Sequence, residues 1–172
     1  MFLSVREMEL STLRFEESFS PGEIDYLDTK LWQASPLQVS GSAELVPDTE
    51  AEVRICGHLR VRMEAECDRC LELASFPIDF GFDLFYEPAA SYAEGEEVEI
   101  DPGETEIGFY EGDGLVLEEV LREQVLLALP MQRVCREGCR GICPVCGQNR
   151  NLAACGCQLK LFDDRWVALR NL

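Results

Sequence analysis

The sequence predicts an α+β fold, in which an antiparallel β-sheet or partly closed barrel is packed by one main helix and followed by a cysteine-rich module. Three patterns support this prediction. Apolar and polar residues alternate along residues 76–86, as in a strand with one covered face. Apolar residues recur at helical spacing between about 115 and 129. Six of the 9 cysteines lie between Cys135 and Cys157.

The charge of the 172-residue chain is acidic and unevenly distributed. The 15 basic and 33 acidic residues give a formal net charge of −18. Residues 131–172 hold 7 basic and 3 acidic residues (net +4), which leaves 8 basic and 30 acidic residues (net −22) in residues 1–130. We therefore expect an acidic sheet body over residues 1–130 and a cysteine-rich module with a C-terminal helix over residues 131–172. The acidic body disfavours general nucleic-acid binding and favours basic protein partners.

The N-terminal third predicts strands interrupted by a short helical turn. Alternating apolar residues in the segment 13–19 indicate a half-buried strand. Ser20 and Glu23 have the spacing of a capping box. We expect a helix of one or two turns there, ending before Ser35 and Pro36.

Two longer strands are predicted next. They cover Leu37–Val46 and Val53–Glu66, with a turn at Pro47–Thr49, and the second leads directly into Cys67. After the strand of residues 76–86, an acidic loop should contain a short strand at Glu106–Tyr110.

The chain then changes to a helical period. Asp113 can cap a helix from about Leu115 to Leu129, and Pro130 ends it. A last short helix is expected after Asp163 or Asp164.

Eight cysteines form four closely spaced pairs, which are Cys67/Cys70, Cys135/Cys139, Cys143/Cys146 and Cys155/Cys157. A C-x2-C turn directs two sulfurs at one tetrahedral ion. A reducing compartment makes a disulfide framework the weaker interpretation. We expect two zinc ions, each held by four cysteines, so that residues 131–172 form a zinc-knuckle module.

Spacing alone leaves two ways to share the ions. We prefer the arrangement in which one ion is bound by Cys143, Cys146, Cys155 and Cys157, because this site closes a short loop at small entropic cost. The other site would then hold Cys67, Cys70, Cys135 and Cys139. The alternative, as in a zinc ribbon, pairs the two C-x2-C turns on one ion.

The residues offer little for catalysis. His58 is the only histidine, and the nearby Cys56 gives no strong nucleophile signal. Four cysteine ligands on one zinc ion also leave no open coordination position, which catalytic zinc needs. A thiol redox protein is the strongest enzymatic alternative, although the C-x2-C pairs lack a βαβ context. We expect no enzyme and no small-molecule substrate.

The start MFLSVREMEL does not have the composition of a signal peptide, and no apolar run approaches the ~20 residues of a membrane span. We expect a cytoplasmic protein without a membrane partner.

Several of these motifs together resemble those of the YceD family. They are Cys67-Asp-Arg-Cys70-Leu71, the helix end LLALP, the C-x3-C-x3-C-P-x-C-G-x-N series from Cys135 to Asn149, Cys155-Gly156-Cys157 and the terminal D-D-R-W-x-x-L. Asn149 and Asn151 fit the family's Asn-x-Asn pattern. YceD is a bacterial and plastid family connected with accumulation of large-subunit ribosomal RNA. The resemblance implies a noncatalytic ribosome-biogenesis factor acting on synthesis, processing or stability of 23S rRNA.

The module also carries cations that could contact RNA or a partner, namely Arg133, Arg136, Arg140, Arg150 and Lys160. Their alternative role is to balance the thiolates, since four sulfurs on one zinc leave a negative site. A zinc-ribbon nucleic-acid-binding module therefore remains an alternative to the ribosome-biogenesis factor, whose partners would be basic ribosomal or rRNA-processing proteins.

Overall fold

The structure is a computed structural model that describes residues 1–89 and 107–158. Within these ranges the strands are β1 (Phe2–Ser4), β2 (Leu13–Phe19), β3 (Leu31–Gln33), β4 (Leu37–Leu45), β5 (Val53–Glu66), β6 (Leu73–Pro88), β7 (Ile107–Tyr110) and β8 (Gly114–Val116). The helices there are α1 (Val5–Met8) and α2 (Leu117–Ala128).

Most strands belong to one mixed six-stranded sheet. Its order is β2-β4-β5-β6-β7, with β3 also paired to β5, while β1 and β8 form a separate antiparallel pair. The β2–β4, β4–β5 and β3–β5 pairs are antiparallel, as predicted. The β6–β7 pair is parallel, so the prediction of a purely antiparallel sheet is wrong there. Residues 89–106 supply the long connection that parallel neighbours require.

The described chain divides into two compact units. The sheet unit contains Met1–Ala65 and Ser75–Met131, and the cysteine unit contains Glu66–Ala74 and the described residues from Gln132 onward. The sequence analysis placed residues 66–74 in the body. Their contacts instead group them with the C-terminal cysteines.

Alternate residues of the long strands supply the core of the sheet unit. Ile55 and Leu59 of β5 are fully buried, and so are Leu117 and Val125 of α2. The predicted apolar face of β6 consists of every second residue from Phe76 to Tyr86. All of these residues are at least partly buried, and Ile78, Phe82 and Tyr86 are buried most. All of these belong to one hydrophobic cluster. Each such large side chain contributes roughly 1.5–3 kcal/mol through burial.

Two glycines make room for aromatic rings inside this core. Gly41 of β4 lies opposite Gly57 of β5. A Cβ on Gly41 would meet the carbonyl oxygen of Cys56 at 2.3 Å and the ring of Phe15 at 2.8 Å, and one on Gly57 would meet the ring of Phe82 at 2.9 Å. The strands therefore need glycine at the point where these rings lie against the backbone.

The helix predicted after Ser20 is absent. Only half of a capping box forms: the Ser20 N–H donates to the Glu23 carboxylate, whereas the Glu23 N–H donates to the Ser20 backbone carbonyl at 3.1 Å, as in a simple turn. Gly22 also has φ +94°, a left-handed conformation that is incompatible with a continuing α-helix.

The main helix also begins later than predicted. Its N-cap is Val116, not Asp113, and no side chain caps it. Residues Gly114–Val116 instead form β8 against β1. The predicted C-terminal helix lies outside the described residues. Among the described residues, no helix is both long and apolar enough to span a bilayer.

Replacing Gly41 by alanine should destabilise the sheet unit by about 1–3 kcal/mol, because backbone atoms of β5 would have to move. The matched control is Gly81→Ala, since a Cβ there meets its nearest atom at an ordinary 3.5 Å. Urea unfolding followed by tryptophan fluorescence would measure the difference. Equal stability of the two variants would contradict the close approach at Gly41.

Candidate metal centres

The first cysteine group begins where β5 ends. Cys67 and Cys70 lie in a turn in which the Leu71 N–H donates to the Cys67 carbonyl at 2.9 Å and the Cys67 N–H donates to the Glu72 carbonyl at 2.8 Å. Both cysteines are buried, with 0% and 4% of their surface exposed. The turn therefore holds two sulfurs on one side of a fixed backbone loop.

Two cysteines from much later in the chain complete this group. The Cys139 sulfur lies 3.8 Å from that of Cys67, and the Cys135 sulfur lies 3.7 Å from that of Cys70. All four sulfurs lie within 4.8 Å of one another. Sulfurs bound tetrahedrally to an ion at about 2.3 Å would be about 3.8 Å apart, whereas a disulfide is only about 2.05 Å long. The spacing fits an ion and excludes a disulfide.

Backbone hydrogen bonds hold the two segments of this group together. The Asp68 N–H donates to the Arg133 carbonyl at 2.9 Å, and the Arg133 N–H donates to the Asp68 carboxylate at 2.7 Å. The Ile142 N–H donates to the Arg69 carbonyl at 2.8 Å. Gly141 is required beside this contact, because it has φ +67° and a Cβ would lie 2.7 Å from the Arg69 oxygen.

The hydrogen bonds to sulfur favour thiolates at some positions. Burial opposes ionisation of Cys67, but backbone N–H groups, including that of Cys135 at 3.3 Å, lower its pKa to about 6. The Asn151 amide donates to the Cys139 sulfur at 3.4 Å and lowers the pKa of that thiol. Burial and the neighbouring sulfurs raise the pKa of Cys135 to about 12. A cation among the four sulfurs would stabilise the thiolate form of each cysteine against burial and against the neighbouring sulfurs.

Asn151 also contacts the first cysteine group, which the sequence alone does not predict. Its side-chain oxygen accepts from the Arg140 N–H at 2.8 Å, and this orients the amide nitrogen toward Cys139. The Asn-x-Asn pattern was visible in the sequence. It did not show which sulfur the amide would contact.

The second cysteine group lies in the C-terminal segment alone. It contains Cys143, Cys146, Cys155 and Cys157, whose sulfurs also lie within 4.8 Å of one another. Cys143 is buried, Cys155 is half-buried, and Cys146 and Cys157 are exposed. The two groups are the ones that we preferred from loop closure, and the zinc-ribbon pairing of the two C-x2-C turns does not occur.

The second group has the same turn as the first. The Gly147 N–H donates to the Cys143 carbonyl at 2.8 Å, and the Cys143 N–H donates to the Gln148 carbonyl at 2.8 Å. Backbone N–H groups of Cys146 and Val145 lower the pKa of Cys143 to about 6. The nearby Cys146 sulfur contributes most to raising the pKa of Cys157 to about 12.

The remaining predicted residues lie elsewhere. Arg136, Arg140 and Arg150 are exposed on the cysteine unit, and Arg133 is half-buried there. Lys160 lies outside the described residues. Their role in RNA or partner binding stays a prediction.

Cys56 and His58 lie on the outer face of the sheet unit. The Cys56 sulfur is 3.4 Å from the Ser42 hydroxyl, and the His58 Nε2 is 3.0 Å from the Asp79 carboxylate. Arg60 also bonds Asp79, at 2.7 Å. These are local polar contacts across the strands, and neither residue belongs to a cysteine group.

The residue after each C-x2-C turn gives a test of the turn geometry. Leu71 has φ +63° and Gly147 has φ +73°, a region that costs an ordinary residue roughly 1–2 kcal/mol. Leu71 is 57% exposed, and a Cβ on Gly147 would meet nothing within 4 Å, so packing contributes little at either site. Leu71→Gly should therefore stabilise the chain by up to about 1 kcal/mol, after the flexibility of glycine is subtracted.

Gly147→Ala is the reciprocal control and should destabilise by about 1 kcal/mol. Thermal unfolding of the metal-loaded protein would measure both changes. A loss of stability in Leu71→Gly would show that the leucine side chain has a packing role that its exposure does not indicate.

Both cysteine groups lie in the part of the chain that matches a known protein family. Residues 55–172 match the family model described as "Large ribosomal RNA subunit accumulation protein YceD". The chain is 30% identical over 118 residues to an uncharacterized protein of Mycobacterium tuberculosis, which covers 68% of this chain and 54% of that protein. An uncharacterized protein of Mycobacterium bovis matches to the same extent. The chain thus spans about half the length of these mycobacterial relatives.

A longer match is to the uncharacterized protein YlbN of Bacillus subtilis, 22% identical over 169 residues, or 98% of this chain and 92% of that protein. No solved structure matches the chain significantly. The family model covers well over half of the chain, including all eight cysteines of the two groups. The chain therefore belongs to the YceD family.

Proposed function

We propose that this chain is a noncatalytic ribosome-biogenesis factor of the cytoplasm, which promotes synthesis, processing or stability of large-subunit (23S) ribosomal RNA. The match to the family model carries this proposal, because the description of that model names accumulation of the large ribosomal RNA subunit. The family description names only a role in the accumulation of this RNA. The step that the chain affects and its noncatalytic character are our proposal.

Two zinc ions complete the cysteine unit in this proposal. Soft thiolate ligands in a tetrahedral arrangement select zinc or iron–sulfur clusters among biological metals. Sulfur separations of 3.7 and 3.8 Å fit a single central ion. Four protein ligands leave no position for water or substrate, so zinc here would order the polypeptide and would not act as a Lewis acid.

The charge distribution supports protein partners of opposite sign. Residues 1–130 carry a net charge of −22, which attracts basic proteins and repels RNA phosphates. Basic ribosomal or rRNA-processing proteins are therefore the proposed partners. Direct RNA contact is the weaker candidate, and the exposed Arg136, Arg140 and Arg150 are the residues through which it would occur.

Metal analysis of gently purified protein tests the zinc proposal. We expect two zinc ions per chain, and one ion in either Cys67→Ser or Cys143→Ser, because each variant breaks only one group. Cys56→Ser is the matched control and should keep both ions, since Cys56 lies outside the groups. Elemental analysis with mass determination under native conditions gives the stoichiometry.

Two outcomes would contradict this scheme. Loss of both ions from Cys67→Ser would show that the groups are not independent. Metal-free wild-type protein with reversible thiol oxidation would instead favour the thiol redox alternative.

Depletion of the protein in its own organism tests the biological role. We expect the amount of 23S rRNA to fall relative to 16S rRNA, because the factor acts on the large subunit. RNA electrophoresis and quantification of precursor 23S species measure the change. Re-expression of the wild-type chain should restore the ratio, and Cys56→Ser should restore it equally well. A normal ratio after depletion would contradict the proposed function.

A further inference from the structure

A groove of about 830 Å³ lies along α2 in the sheet unit. Among the described residues its lining comes mainly from α2, β7, β8 and the N-terminal strand β1, with Tyr86 of β6. Several large apolar side chains in this lining are open to solvent. Phe2 is 52% exposed, Val116 is 38% exposed and Leu127 is 71% exposed. We call this feature the α2 groove.

The apolar residues in and next to α2 are divided between the core and the groove. Leu117, Leu121 and Val125 are fully buried in the core, as the helical period predicts. Val116, at the N-cap, and Leu127 instead line the groove. Soluble proteins rarely expose contiguous apolar surface of this kind unless it binds something.

Charged residues in the same lining restrict what can bind. Glu111, Glu119 and Glu123 line the groove and are exposed, whereas the basic residue in the lining is the half-buried Arg122. Glu119 and Glu123 are one helical turn apart on α2, so their carboxylates lie on the same side. An occupant therefore needs large apolar groups together with positive charge.

Negative charge argues against two occupants from the chain itself, whereas residues 159–172, with 3 basic and 2 acidic residues, are tested by the deletion described below. Residues 90–106, which connect β6 to β7, contain 7 acidic and no basic residues. A second copy of the chain brings a net charge of −18. Both would bring negative charge to carboxylates that already repel one another.

We propose that the α2 groove binds an amphipathic, positively charged segment of a protein partner, with apolar side chains against Phe2, Val116 and Leu127 and basic side chains at Glu119 and Glu123. An amphipathic helix that lays its apolar face in a groove is a common mode of peptide recognition. The inference rests on the proposed function for the class of partner, a basic ribosomal or rRNA-processing protein. It adds the surface that recognises this partner and the chemistry that the partner must present.

Binding of a designed peptide to the full, metal-loaded chain tests the groove. The probe is a fluorescein-labelled peptide of about 16 residues, roughly four helical turns, with leucine on one face and lysine or arginine on the other. Fluorescence anisotropy should show saturable binding that weakens as salt is added. A peptide of the same composition with its leucines dispersed should bind at least about tenfold more weakly, because it cannot present an apolar face.

Substitutions locate the site. Leu127→Ser, and separately the pair Glu119→Gln and Glu123→Gln, should each weaken binding by about tenfold or more. Their side chains are exposed, so the fold should tolerate the changes. Leu10→Ser and Glu50→Gln are the matched controls, since both residues are exposed and neither lines the groove. Controls that bind like the wild type support the proposal.

Three outcomes would overturn the proposal. The first is peptide binding that is absent, or equally weakened by the control substitutions. The second is binding that appears only after residues 90–106 are replaced by a glycine–serine linker of equal length, or after residues 159–172 are deleted, which would make the occupant a segment of this chain. The third is a wild-type dimer that Leu127→Ser converts to monomer in sedimentation experiments, because the occupant would then be a second copy.

The rRNA assay separates failure of this inference from failure of the proposed function. Depletion that lowers 23S rRNA, followed by full restoration with Leu127→Ser and with the double glutamine variant, would overturn the groove and leave the function intact. Depletion without any effect on 23S rRNA would overturn the function, whatever peptide the groove binds. Partial restoration by the groove variants, with full restoration by Leu10→Ser, would support both.

Discussion

The convergence of four sulfurs from two distant segments is the constraint on which the cysteine unit depends. Cys70 and Cys135 are 65 residues apart in sequence, yet their sulfurs are 3.7 Å apart. Burial, followed by the neighbouring sulfurs, raises the pKa of Cys135 to about 12, whereas backbone N–H groups lower the pKa of Cys67 to about 6. The surrounding N–H groups satisfy part of the negative charge, and a divalent ion would satisfy the remainder. The chemistry of the donor set thus explains why this arrangement favours a metal.

The two cysteine groups close loops of very different length. The second group spans only residues 143–157, so its closure costs little chain entropy, whereas the first must join residue 70 to residue 135. Backbone pairing of Asp68 with Arg133 and of Arg69 with Ile142 helps to offset the larger cost. The first group therefore combines sulfur ligands with a network of hydrogen bonds. The second depends more on the local turn around Cys143.

The two units differ in the chemistry that each offers to a partner. The sheet unit presents an apolar groove with carboxylates along its rim, and the cysteine unit presents exposed arginines. Both surfaces suit recognition. This chemistry is consistent with a factor that supports ribosomal RNA accumulation by binding other components.

The sequence by itself determined the regular parts of this protein. Strict alternation fixed β5 at Val53–Glu66, and loop closure favoured the correct cysteine groups, because both depend on neighbours in the chain. Tertiary structure decided the rest. Gly22 has a left-handed φ that prevents the helix predicted after Ser20, and pairing with β1 places Leu115 and Val116, the predicted start of the main helix, in β8. The parallel direction of β7 and the contact between Asn151 and Cys139 likewise depend on distant residues, which no local pattern encodes.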